Sequence, residues 1–220
     1  MDIQRSLINN QVYDYIKEKI INDEFKPNEK IDVTRLSKSL NVSKTPVTTA
    51  LSRLQHDGFI TVLPQSGTFV RHHSEKELYI IYKCRAALER TIVECYGGQY
   101  DRERLSEIKR EFNRLAQKKT CTEEVQNELF ALELNFHDYL VASSEEIIRS
   151  NIVSISDLTK HSRLLYIRVH RDEIDMAVIR KEARIHSNII DSILAGNYTR
   201  AGEQVYEDIM QTFDGVKQYL

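Results

Sequence analysis

The sequence predicts a mainly α protein in two parts: a small N-terminal helical module closed by a β-hairpin, and a C-terminal all-α bundle of about six helices. Three observations carry this. The prolines, Pro27, Pro46 and Pro64, all fall in the first 64 residues. After residue 75 proline is absent, and glycine occurs only at positions 97, 98, 196, 202 and 215. Along that proline-free stretch apolar residues recur at helical spacing. The composition changes at Arg71-His72-His73-Ser74, which sets predicted domains of 1–74 and 75–220.

In the first domain, Val12, Ile16 and Ile20 mark a helix that stops before Pro27. Asp32 caps a short helix carrying Leu36 and Leu40, and Asn41-Val42 forms a tight turn. The stretch VSKTPVTTALSRLQHDGFI, residues 42–60, then opens a helix at Ser43, with Val47, Leu51 and Leu54 on one apolar face. Pro46 falls in its first turn, where a missing N–H has no partner to lose. Asp57-Gly58 ends it. In FITVLPQSGTFV, residues 59–70, two β-prone runs flank a Pro-Gln-Ser-Gly turn, which is a hairpin signal. Helix, helix, turn, helix, hairpin is the order of a winged helix-turn-helix, whose second turn-flanking helix enters the major groove by its N-terminal residues. The expected DNA contacts are Arg35, Ser43, Lys44, Thr45, Thr48, Thr49 and Arg53, with Gln65, Ser66, Gly67 and Thr68 at the hairpin tip.

Charge agrees with that placement. The net charge is only −2, which excludes a wholly basic nucleic-acid binder. Yet from Arg35 to His73 the charged residues are Arg35, Lys38, Lys44, Arg53 and Arg71 against Asp57 alone, so a basic segment sits on an acidic remainder. No run of about 18 apolar residues spans a membrane. The start, MDIQRSLINN, lacks the pattern of a signal peptide, so a cytoplasmic location is expected. Cys84, Cys95 and Cys121 form no C-x-x-C pair and read as free thiols, expected as small buried hydrophobes.

The second domain reads as helices only. They are LYIIYKCRAALERTIVECY, ERLSEIKREFNRLAQ, Thr122 to Ser143, Glu145-Glu146 toward Val169, Val178 to Leu194, and Thr199 to Tyr219. Four polar residues interrupt their apolar stripes. Glu133 and His137 are four apart and share a face. His186 and Asp208 lie about equally far on either side of the Gly196-Asn197 turn, so an antiparallel hairpin brings them level. Two imidazoles and two carboxylates inside a bundle suit a divalent transition metal.

Residues 9–71 resemble the N-terminal domain of GntR-type bacterial transcriptional regulators. The family pattern is "LxxxLxVSRTPVREALxxLxxxGL" followed by "GxGTFV"; this chain has LSKSLNVSKTPVTTALSRLQHDGFI and QSGTFV. Lys44 and Thr48 stand where the family has arginines. Arginine pairs bidentately with guanine and threonine cannot, so the operator should differ from the family's commonest one. Residues 76–220 are similar to the FCD domain of the FadR branch, through RAALE at 85–89, NFHDYLVAS at 135–143 and HSNIIDSILAGNYTRA at 186–201.

That resemblance implies a homodimer on a palindromic double-stranded operator, controlled by a small organic acid in the bundle, with Arg85 as a cation for its carboxylate. Many members hold a metal by an Asp, a His four residues later, and two further His; by position these are Glu133, His137, His186 and Asp208 here. Two nitrogen and two oxygen donors would favour Zn, Mn, Ni or Fe. The bland reading of Arg85 is an i,i+4 ion pair with Glu89. Two alternatives stay open. One is a metal-free regulator whose bundle only dimerises. The other is a metal-dependent hydrolase or lyase with a nucleic-acid-binding head, which lacks an H-E-x-x-H motif and a dedicated general base.

Overall fold

Local chemistry sets the boundaries of several helices. The computed structural model describes residues 3–217. Helix α1 is Ile3–Ile21, β1 is Lys30–Ile31, α2 is Val33–Ser39 and α3 is Lys44–His56. The wing is β2, Ile60–Leu63, and β3, Gly67–Val70. Asp32 caps α2 by accepting from Thr34 N at 2.7 Å and Arg35 N at 3.1 Å. α2 and α3 both end in Schellman turns. At α3 Gly58 adopts φ 86°, and Phe59 N reaches Leu54 O at 2.9 Å. At α2 Asn41 takes the left-handed position with φ 52°, and Val42 N reaches Ser37 O at 3.0 Å.

The hairpin predicted over 59–70 pairs Ile60 with Val70 and Leu63 with Gly67, antiparallel. The structure adds a strand that the sequence did not announce. Lys30 and Ile31 pair with Phe69 and Thr68, giving a three-stranded sheet in the order β1-β3-β2. A two-residue strand has no periodicity to read.

The second domain supplies α4, Glu75–Tyr96; α5, Arg102–Ala116; α6, Glu123–Ala142; α7, Glu146–Val169; α8, Met176–Leu194; and α9, Tyr198–Val216. α8 starts at Met176, two residues before the expected Val178, because Asp175 caps it through Ala177 N and Val178 N. Tyr219, the expected end of the last helix, lies outside the described residues. Between α8 and α9, Gly196 adopts φ 77° and Asn197 N reaches Ser192 O at 2.9 Å, while the Asn197 side chain caps α9 through Arg200 N.

Two compact units result. The first is Met1–Leu78 with Ser154–Leu165, and the second is Tyr79–Val153 with Tyr166–Leu220. The first unit buries Val12, Ile16 and Ile20 of α1 against Val47, Ala50, Leu51 and Leu54 of α3 and Ile60 and Val70 of the wing. Leu158 packs on this core, and Asp157 accepts from Lys17 Nζ at 2.9 Å. The second unit buries Leu105, Ile108, Phe112 and Leu115 of α5, with α8 lying against α5, α6 and α9. Cys84 and Cys95 are exposed and Cys121 is half-buried, which corrects the expectation of buried thiols. Cys84 and Cys95 lie on the outer face of α4, away from the buried stripe of Tyr82, Ala86 and Val93.

Candidate functional site

The first site is the N-terminal turn of α3. Pro46, Val47, Ala50, Leu51 and Leu54 of this helix are buried, whereas Ser43, Lys44, Thr45, Thr48 and Thr49 are exposed. Ser43 holds the N-cap position with extended backbone, but its hydroxyl makes no capping hydrogen bond. The first N–H groups of α3 thus receive no cap from Ser43 and lie among exposed polar residues, an arrangement that favours phosphate. The Thr48 hydroxyl donates to Lys44 O at 3.0 Å. Arg35 is exposed on α2. Arg53 sits nearer the other end of α3 and is engaged: it donates to Asn10 Oδ1 at 2.7 Å and lies 4.1 Å from the Tyr13 ring centroid. At the wing tip Gln65 and Ser66 are exposed, and Gly67 and Thr68 are half-buried. Gly67 has φ 120°, and a Cβ there would lie 2.8 Å from Lys30 Cε, so the turn requires glycine.

The second site lies within the second unit, and both of its histidines are buried. His137 is 2% exposed and His186 1%. His137 Nδ1 is 2.6 Å from Glu89 Oε2, and its Nε2 is 3.1 Å from Asp208 Oδ2. His186 donates through Nδ1 to the Glu182 backbone carbonyl at 2.9 Å, which assigns its proton and leaves the lone pair on Nε2. That Nε2 stands 3.9 Å from Asp208 Oδ2 and has no hydrogen-bond partner among the described residues. Phe112 stacks on the His186 ring at 4.6 Å, and Phe136 meets it edge-on at 5.6 Å, so the imidazole is fixed by packing as well.

Electrostatics follow from this geometry. Burial alone would push His137 down, but the Glu89 charge and the hydrogen bonds to Asp208 and Glu89 outweigh it and raise its pKa to about 9. Burial likewise works to raise Glu89, yet the Arg85 and His137 charges hold it below the usual range. Arg85 donates from Nε to Glu89 Oε1 at 2.7 Å, both side chains being buried. Its i,i+4 ion pair is therefore present.

Of the four residues expected to converge, His137, His186 and Asp208 have donor atoms within 4.8 Å of one another. Glu133 belongs to a second such group, with Glu182 and His186. Two participants were missed. Glu89 interrupts the buried stripe of Tyr82, Ala86 and Val93 on α4, the same signal that marked His186 and Asp208. Glu182 precedes His186 by four residues, repeating the Glu133–His137 spacing. The donor chemistry fits a divalent transition ion: two imidazoles, one with an orphaned Nε2, and carboxylates from three helices.

Two family models match the chain. Residues 8–70 match the model of the gntR family of bacterial regulatory proteins, and residues 80–210 match the FCD domain. An uncharacterized HTH-type transcriptional regulator of Bacillus subtilis (strain 168), YdhC, is 30% identical over 181 residues, covering 81% of this chain and 79% of the relative. The Nta operon transcriptional regulator of Aminobacter aminovorans is 31% identical over 141 residues, 63% of this chain and 65% of its own. Among solved structures, E. coli McbR/YncC superposes with a TM-score of 0.74 at 19% identity, covering 96% of this chain and 97% of that one.

Proposed function

We propose, from the premise that the chain belongs to the GntR family of bacterial regulatory proteins and carries its FCD domain, that its bundle holds a divalent transition metal and senses a small organic acid. It is a DNA-binding transcriptional regulator, as its relatives are, and not an enzyme. In the finer reading, Thr45, Thr48 and Thr49 enter the major groove, with Ser43 and Lys44 at the start of α3 on a phosphate. Arg35 and the wing tip, Gln65 to Thr68, contact the flanking backbone, and Arg53, exposed on α3 and held by Asn10 and the Tyr13 ring, lies at the edge of the same surface. Two copies bind a palindromic operator in the cytoplasm. Among the described residues no helix is long and apolar enough to cross a membrane.

His137, His186 and Asp208 would hold the ion, with Glu133 beside them. Zn, Mn, Ni or Fe would supply a Lewis-acidic centre to which a carboxylate can bind. Arg85 is the cation we assign to the same acid, with Glu89 as its resident partner. Effector binding then biases the placement of the reading heads, a coupling between distinct sites.

The observation that carries the metal reading is the convergence of His137 Nε2 and His186 Nε2 on Asp208 Oδ2, at 3.1 and 3.9 Å, with both Nδ1 atoms already tied elsewhere. A metal-free bundle is favoured by one observation in turn: protonated His137 already bridges Glu89 and Asp208. Elemental analysis of untagged protein, purified without chelator or immobilised-metal resin, decides between them. About one zinc, manganese, nickel or iron per chain supports the centre. No metal, even after loading and desalting, assigns the network to His137 and its carboxylates alone.

A further inference from the structure

The buried cluster contains more donors than the inherited pattern uses. α6 carries Glu133 and His137, and α8 carries Glu182 and His186, each an E-x-x-x-H pair on one helical face. The donor atoms of Glu133, Glu182 and His186 lie within 4.8 Å of one another, as do those of His137, His186 and Asp208. His186 is common to both groups. Its Nδ1 is bonded to the backbone carbonyl of Glu182 itself at 2.9 Å, so the residue that fixes the His186 tautomer also brings a carboxylate oxygen within 4.8 Å of a His186 ring nitrogen. His186 Nε2, in a side chain 1% exposed, has no hydrogen-bond partner among the described residues.

We propose that Glu182 is a metal ligand, a donor outside the Glu133, His137, His186 and Asp208 set. This rests on the metal reading above. With Glu182 the two groups, joined at His186, offer between them two imidazoles and three carboxylates. A tetrahedral zinc site closes with four donors, whereas manganese(II) and iron(II) take six and accept more oxygen. The exchange of a family histidine for Asp208 and the recruitment of Glu182 act in the same direction. Both harden the donor set, so the site prefers manganese(II) over zinc(II) more than a three-histidine centre would.

The test is competition titration of chelator-stripped, full-length protein with Mn²⁺ alone and with Zn²⁺ alone, for wild type, Glu182→Gln, Glu182→Asp and His186→Ala. Glu182→Gln should weaken Mn²⁺ binding by about tenfold or more. Its Zn²⁺ affinity should change by less than about threefold, since four donors remain. Glu182→Asp should recover part of the Mn²⁺ loss, and His186→Ala should abolish both. Glu182 is half-buried, and the thermal midpoint of each metal-free variant, read alongside, separates loss of a ligand from loss of fold. Unchanged Mn²⁺ affinity in Glu182→Gln overturns the proposal and leaves the metal centre standing. An equal loss for both ions overturns the preference. Wild-type protein that binds neither ion overturns the metal reading, and this proposal with it.

Discussion

Replacing Lys44 by alanine tests the reading head directly. Lys44 is exposed at the first position of α3, and its ammonium makes no hydrogen bond or ion pair among the described residues. Its loss should therefore leave folding intact; alanine is the better helix former by a few tenths of a kcal/mol. A lysine on a phosphate contributes about 0.9 to the exponent linking affinity to salt. Carried from molar salt to about 0.15 M, one such contact is worth roughly a fivefold change in affinity. Two copies on a palindrome double the exponent change to about 1.8 and raise the loss to about thirtyfold. The assay is fluorescence anisotropy on a duplex that the protein selects from a random pool, repeated across a salt series. Arg53→Ala is the contrast. Its guanidinium grips Asn10 and Tyr13, so it should lose about 1–2 kcal/mol of unfolding free energy with a smaller change in salt slope. If Lys44→Ala keeps both the affinity and the slope of wild type, α3 does not present this end to DNA and the placement is wrong.

Two further outcomes follow from the second unit. In chelator-treated protein, His137 is raised from an ordinary value near 6.5 to about 9, so its pairing with Glu89 and Asp208 stabilises fully below pH 6.5 and is lost as pH rises through 9. The loss should approach about 3 kcal/mol, read as a falling urea midpoint between pH 6.5 and 9.5, and a flat midpoint would contradict it. Gly202 on α9 lies so close to α4 that a Cβ would stand 3.0 Å from Arg90 O and 2.9 Å from Glu94 Cγ. Gly202→Ala should gain about 1 kcal/mol of helix propensity and lose about 1–3 to overpacking, for a net fall in thermal midpoint of a few degrees.

Most of the fold was legible because its signals are local. Asp32, Asn41, Pro46, Gly58 and Gly196 each act within a few residues of the boundary they set. What escaped depends on distant pairing. Lys30–Ile31 becomes a strand only because Phe69 and Thr68 lie alongside it. Ser154–Leu165 reads in sequence as part of one long helix, and nothing local assigns it to the first unit. Ser43 shows the reverse limit: the sequence locates the N-cap, but whether the hydroxyl turns inward to cap or stays exposed is a side-chain choice that spacing cannot fix.

The buried cluster was legible to the degree that its partners are related by helix or turn geometry. Glu133 and His137 share a face, and His186 and Asp208 are level across a hairpin, so spacing alone places each pair. The relative rotation of α4, α6 and α8 is set by packing, and spacing is silent about it. That rotation puts Glu89 on His137 Nδ1 and Glu182 beside Glu133. Both carboxylates still left a mark. Each sits one helical turn from a histidine or arginine of the cluster in its own helix, at Arg85–Glu89 and Glu182–His186. A carboxylate in a core-facing stripe is costly unless something pairs with it, so such a residue is a claim on a partner from another helix. In this bundle those claims meet at His137 and His186.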